Sequence, residues 1–457
     1  MLKRTIALIC IILCLSVPAY AAESNVIWSG TNGIYGGDTV YFGNGELEWR
    51  VLNAAGTSTG GSGIFLVTKD LQGSGSQYGN VYFNEVRSKG NAWNNSSAQS
   101  WCTKFFDKNF SDAEKSAVTE TYKDDKAYRT EKTSNAYAVD FDSMSLKGDK
   151  VFFLSAEETV KYFSGEADRA ATYNGSANSW WLRSPSSDDF QNAGCVGDGG
   201  WIMEIKVDHN YNGSTLCARP ALNISNESVL FCTPADAEKP SGLGLYTPER
   251  TSTDKWKLTI IDSTRNFSAS LADGQSDRIA SGDTVKIDYS GAKTGSSEYV
   301  SAAVTDPFGN LKRAGHIAAS SAEGTAEVTI PSDLPDGNYI LKVFSEQCRG
   351  GRESDYASQV CEIPITVGIP PAAKISGTYQ SYGTLCFVDI KTEGLMPGTK
   401  IITAGYKDGK LAAMRINNLS YASLIVSLNG TFDSLKIMAV DSVGNMMPYA
   451  AAAEPVK

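Results

Sequence analysis

The sequence predicts a multidomain chain: an α+β N-terminal domain followed by two all-β modules. Three observations carry this. Seven of the eight tryptophans (Trp28, Trp49, Trp93, Trp101, Trp180, Trp181, Trp201) precede residue 233, so the segments are different kinds of domain and not repeats of one unit. Residues 233–254 (TPADAEKPSGLGLYTPERTSTD) and the shorter stretch Gly368-Ile369-Pro370-Pro371 are rich in turn formers and divide the 457 residues into three. Beyond residue 254, apolar and polar residues alternate with the period of a half-buried strand.

The first element is a leader. Lys3 and Arg4 precede an apolar run from Thr5 to Val17, and Ala19-Tyr20-Ala21 offers small residues where a signal peptidase reads them. Residues 1–21 are therefore expected to be a signal peptide, and the mature chain to be extracellular, either secreted or associated with the cell surface. Neither Cys10 nor Cys14 has the context of a lipid anchor. No later stretch approaches the ~20 apolar residues of a membrane helix.

Residues 24–232 read as the mixed domain. Val40-Tyr41-Phe42-Gly43 and Leu47 to Leu52 suit a hairpin, and Ile64 to Val67 suits a buried strand. Trp101 and Phe105, four apart, mark the apolar face of a helix over 98–107. Ser111-Asp112-Ala113-Glu114 and Ser155-Ala156-Glu157-Glu158 have the spacing of capping boxes, each starting a helix. Trp180 to Arg183 and Trp201 to Val207 are strand-like. Between them Ser184 to Gly200 holds four glycines and three aspartates, the composition of a loop.

Residues 233–254 are expected to be a linker. The module at 255–368 alternates at Val285, Ile287 and Tyr289, at Val300, Ala302 and Val304, at Ala326, Val328 and Ile330, and at Ile363, Ile365 and Val367. Turn sequences such as Pro307-Phe308-Gly309-Asn310 separate these runs, as in an immunoglobulin-like sandwich. Leu334-Pro335-Asp336-Gly337-Asn338-Tyr339 is similar to the bacterial modules of that kind, which serve as spacers or adhesive arms. The module at 373–457 predicts strands at Thr384–Ile390, Lys400–Tyr406, Leu411–Ile416, Leu424–Leu428 and Leu435–Val440. No cluster of acid, base and nucleophile is expected in either module.

A longer set of motifs places the first domain. In order they are Phe42-Gly43, Glu48-Trp49-Arg50-Val51-Leu52, Trp101, Phe110-Ser111-Asp112-Ala113-Glu114-Lys115, Lys150 to Glu158, Trp180-Trp181-Leu182-Arg183-Ser184-Pro185 and Ala218-Arg219-Pro220-Ala221-Leu222. Together they resemble a domain-of-unknown-function family abundant in secreted proteins of Gram-positive gut bacteria. The resemblance covers about residues 28–232 and implies a C-type-lectin-like fold, shared with the formylglycine-generating enzymes. Two departures stand out. Ala98-Gln99-Ser100-Trp101-Cys102-Thr103 replaces Leu-Arg-x-Trp-Leu-Asn, and Cys217-Ala218 replaces the Gly-Val before Arg219.

Composition excludes several functions. The net charge is −10, or −12 without the leader, and no basic stripe offsets it, so nucleic acid is not an expected partner. His209 and His316 are the only histidines, too few for a multi-histidine metal site. The Asp140-Phe141-Asp142 pair lacks the oxygens of a calcium loop, and no cofactor or metal is expected. Seven cysteines remain after the leader. Cys348 and Cys361, flanking Gly350-Gly351, are the one pair expected to be able to bridge; the others read as small core residues.

The candidate ligand site lies around the second tryptophan pair. Alternation puts Trp180, Leu182 and Ser184 on one face, and Trp181 and Arg183 on the other. With Leu182 inward, Trp181 beside Arg183 forms a stacking platform for a sugar or aromatic ligand. Asp188, Asp189 and Asp198 on the loop, with His209 and Asn212 beyond the next strand, would supply polar contacts. In the competing reading Arg183 and Arg219 anchor the core through carbonyls and acidic partners, which the apolar context favours. Glu157 and Glu158 are accounted for by a helix start, and no Gly-x-Ser-x-Gly occurs, so no catalytic residue is assigned. The expected function is non-catalytic recognition or adhesion, with a glycan or protein as partner. The alternatives are a structural envelope protein without a small-ligand site and an extracellular enzyme of unknown reaction.

Overall fold

A computed structural model describes residues 27–45, 47–59, 61–73, 81–132, 137–207, 215–249, 251, 253–319, 321–368, 373–440 and 448–457. The leader, residues 369–372, His209 and Asn212 lie outside the described residues. Among those described, no helix is long and apolar enough to cross a membrane.

The first unit is built on a meander of β1 (Thr39–Tyr41), β2 (Glu48–Asn53) and β3 (Gly63–Thr68). Val40 pairs with Trp49 and Val51 with Leu66. Every residue of β3 is buried, as the unbroken apolar run requires. Helix α1 (Ser97–Asn109) starts where Ser96 Oγ accepts from the Gln99 amide at 2.9 Å, and its Trp101 stacks on Phe105 at 5.2 Å. Both predicted capping boxes form. Ser111 opens α2 (Asp112–Ala117) with Glu114 returning, and Ser155 opens α3 (Ala156–Tyr162) with Glu158 returning, after β4 (Val151–Phe153).

Strands β5 (Trp180–Pro185), β6 (Asn192–Val196) and β7 (Ile202–Lys206) form a separate three-stranded sheet. Strand β8 (Pro220–Ser225) then returns to pair with β3 and β4, and β9 (Val229–Pro234) leads out of the unit.

The module expected from residue 255 does not begin as a separate unit, because its first strand joins the sheet of the first unit. In β10 (Lys255–Ile261), Trp256 pairs with Val40 of β1 in parallel and with Pro234 of β9 in antiparallel. Trp256, Leu258 and Ile260 belong to the same apolar core as Trp49, Phe65 and Trp181. The reason is burial: three large apolar residues in one short strand need a covered sheet position, which the first unit provides. The expected linker packs too. The Lys239 side chain is 6% exposed, and Leu243 and Tyr246 form bridges to His316 and Ala314.

The second unit is a two-sheet sandwich. One sheet contains β11 (Ser268–Leu271), β12 (Thr284–Ser290) and β15 (Glu323–Thr329). The other contains β13 (Glu298–Thr305), β14 (Leu311–Ala319), β16 (Gly337–Gln347), β17 (Asp355–Ala357) and β18 (Cys361–Val367). All twelve alternating residues predicted here are buried in one cluster. Ile260 of β10 pairs in parallel with Tyr356 of β17, which makes the second sheet continuous with that of the first unit.

The last unit is a smaller sandwich. Strands β19 (Lys374–Tyr382), β20 (Leu385–Glu393) and β23 (Ser423–Asn429) face β21 (Lys400–Lys407), β22 (Lys410–Asn418) and β24 (Ser434–Val440) around Val388, Ile390, Ile401 and Ile437. β19 had no predicted counterpart, because its apolar residues are sparse.

Candidate functional site

The predicted platform is inside the protein. Trp180, Trp181 and Arg183 are each 0% exposed, so neither Trp181 nor Arg183 presents a ligand surface. The alternation is right, but both faces of β5 are covered. Trp181 Nε1 donates to the Val81 carbonyl at 2.7 Å, and its ring meets Phe83 edge-on at 5.5 Å. On the opposite side, the Arg219 guanidinium lies 4.9 Å from the Trp180 ring centroid.

Arg183 is a buried anchor. Its Nη1 donates to Glu158 Oε2 at 2.6 Å and to the Phe153 carbonyl at 2.7 Å, while Nη2 pairs with Asp125. Lys123 closes the group, 2.6 Å from Glu158 and 3.0 Å from Asp125. Two cations therefore alternate with two carboxylates. Burial opposes ionisation of Glu158, but Arg183 and Lys123 outweigh it and hold the carboxyl down at about 2. Arg219 instead donates to carbonyls, those of Thr68 and Arg169 at 3.0 Å each and that of Lys69 at 3.5 Å. Burial, together with the nearby Arg50, pushes it down to about 9.

The loop aspartates do not converge on this strand. Asp188 and Asp198 are exposed, and Asp198 accepts from the Gly199 amide beside it. Asp189 pairs with Lys206 at 2.5 Å and caps the turn at Gln191. Cys348 and Cys361 are not bridged. Cys348 faces His316, and the Cys361 thiol lies 3.9 Å from the Phe267 carbonyl.

A polar site does exist where the first unit meets the sandwich. A cavity of about 520 Å³ is lined by Asp236, Lys239, Lys257, Tyr299, His316, Cys348, Arg349, Arg352 and Asp355, among others. Cross-strand pairing builds its wall: Ser301 of β13 sits opposite His316 of β14, and Tyr299 opposite Glu346 of β16. Tyr299 stacks on the imidazole with centroids 4.0 Å apart. Ser301 Oγ donates to Glu346 Oε2 at 2.9 Å and lies 2.8 Å from His316 Nδ1. His316 Nε2 is 3.9 Å from Cys348 Sγ. Lys239 pairs with Glu346 and lies 3.0 Å from Asp355, while Lys257 reaches the other Asp355 oxygen at 3.1 Å.

This corrects the expectation that the β-modules hold no acid–base–nucleophile cluster. The sequence offered one signal, a histidine in a strand-like run, but the partners lie 15, 30 and 32 residues away and meet only through strand register. Burial pushes His316 below its ordinary value, with Lys239 adding to the effect against Glu346. Burial likewise pushes the Cys348 thiol up, and Glu346 reinforces it. The Glu346 carboxyl is buried too, but Lys239 and His316 hold it below the ordinary carboxylate range.

Residues 62–226 match the model of a family described as Domain of unknown function (DUF6273). No curated protein is significantly similar to the chain. Among solved structures, trypsin-activated alpha-2-macroglobulin from Escherichia coli is 10% identical, with 57% of this chain and 20% of that one covered and a TM-score of 0.17. The chain thus spans about a fifth of that protein's length. A tetra-tandem repeat from the extending region of a large adhesion protein is 13% identical, with 75% and 82% covered and a TM-score of 0.21. The FN1-FN3 domains of chicken CNTN1 are 9% identical, with 75% and 100% covered and a TM-score of 0.15. Nothing about function follows from likenesses at these scores.

Proposed function

We propose that this chain is an exported surface protein that recognises a protein partner without catalytic turnover, using the cleft at the junction of its first two units. The carrying observation is where accessible polar chemistry lies. Trp181 and Arg183 are enclosed, which removes the aromatic platform that a glycan reading needs, whereas the junction cleft is open and bordered by Arg349 and Arg352. Arginines on the turn between β16 and β17 suit a protein surface better than a sugar ring. Export rests on the leader, with Lys3 and Arg4 ahead of an apolar run and Ala19-Tyr20-Ala21 behind it. The lectin-like relationship of residues 24–232 and the spacer role of the last module belong to the same reading.

An array of immobilised glycans and extracellular proteins, probed with the full mature chain, tests this. Protein hits are expected, lost in the double variant Arg349→Glu and Arg352→Glu and kept in Trp181→Phe. Hits confined to glycans, or hits indifferent to the charge reversal, would contradict it. A structural envelope role is the second reading, favoured by the sheet that runs unbroken through both units. It expects no hits at all.

A further inference from the structure

Proton accounting at the junction fixes one tautomer. Ser301 has a single hydroxyl proton and gives it to the Glu346 carboxylate, so the 2.8 Å contact at Ser301 Oγ is donated by His316 Nδ1–H. The Nε2 lone pair is then free, and it points at Cys348 Sγ across 3.9 Å. His316 is 3% exposed and Cys348 is half-buried, and both line the cavity. Of the two, the thiol is the more accessible to a reagent in the cleft. Nucleophile, base and orienting group stand in the order that thiol activation needs.

His316, Glu346 and Cys348 also place three ligand-type atoms within 4.8 Å of one another. A divalent cation fits them poorly. The carboxylates of Glu346 and Asp355 are already matched by the ammonium groups of Lys239 and Lys257, and both Glu346 oxygens are engaged, Oε1 by Lys239 and Oε2 by Ser301. Added positive charge there would be buried without a counter-charge. Exchange at the thiol adds none.

We propose that Cys348 is a covalent modification site that exchanges with low-molecular-weight disulfides, with His316 as its base. Cys348 Sγ attacks one sulfur of the incoming disulfide while its proton passes to His316 Nε2. The disulfide bond breaks, and the departing thiolate takes the proton from His316. The products are a mixed disulfide on Cys348 and one free thiol; the incoming disulfide is the oxidant. Burial keeps the resting thiol protonated, which is why a base is required, and a thiol of high pKa is the stronger nucleophile once its proton leaves. The inference deepens the reading of the cleft as the contact surface and rests on it only in that the reagent reaches Cys348 from the cleft.

The test treats the full mature chain with oxidised glutathione and follows each cysteine by peptide mass mapping. Cys348 is expected to take up one glutathione at least about ten times faster than Cys361, with His316→Gln slowing it roughly a hundredfold. No adduct on Cys348, an equal rate at Cys361, or an unchanged rate in His316→Gln overturns the proposal. If His316→Gln does not fold, the ratio of Cys348 to Cys361 in the unaltered chain decides alone. A chain that is modified at Cys348 yet binds no protein keeps the thiol assignment and refutes the recognition reading. The opposite pattern does the reverse.

Discussion

Arg183 Nη1 lies 2.6 Å from Glu158 Oε2, and both side chains are closed to solvent. That contact ties the Trp-Trp-Leu-Arg strand to the first turn of α3, whose capping box uses the same glutamate oxygen to accept from the Ser155 amide at 2.9 Å. One carboxylate thus starts a helix and neutralises a buried guanidinium, which explains the motif without a ligand.

Removing the cation leaves Glu158 and Asp125 facing each other with only Lys123 between them. Arg183→Met should destabilise the first unit by about 3–5 kcal/mol, the range for a broken buried pair. Urea unfolding should show it as a lower midpoint with an unchanged slope.

The same group predicts an acid limb. Glu158 is held at about 2 in the folded chain, below the ordinary value of 4.5. Its stabilisation, on the order of 3 kcal/mol, is complete above the unfolded value and is lost as pH falls from there toward about 2. Stability measured at pH 7, 4 and 2.5 should fall across that window, and less steeply in Glu158→Gln.

Trp181 fills core space, so its truncation should act on stability rather than on binding. Trp181→Ala is expected to cost about 3–5 kcal/mol, visible as an earlier thermal transition. An unchanged melting temperature would mean that the ring is not enclosed.

Gly63 has φ +141°, and a Cβ there would stand 2.0 Å from the Ile224 carbonyl oxygen. Gly63→Ala should therefore part β3 from β8. Amide exchange should rise along Ile64–Val67 while the last sandwich stays protected.

Local signals were readable and distant ones were not. Both capping boxes, the α1 face at Trp101 and Phe105, and the alternation at Val285, Val300, Ala326 and Ile363 could be read because each depends on neighbours a few residues apart. Alternation also separated Trp180 from Trp181, but it says nothing about whether a second layer covers the outward face. Here Phe83, Asp125 and Glu158 cover it, and none is a sequence neighbour. Strand β10 escaped for a related reason. Its parallel partner β1 lies more than two hundred residues earlier, and such pairing leaves no turn signature.

The first two units form one body through Lys255–Ile261. Hydrogen exchange of the full chain and of Trp256→Ala tests it most directly. The variant is expected to lose protection together in Glu48–Asn53 of the first unit and in Asp355–Ala357 of the sandwich, with Lys400–Lys407 unaffected. Loss confined to one side of that strand would contradict it.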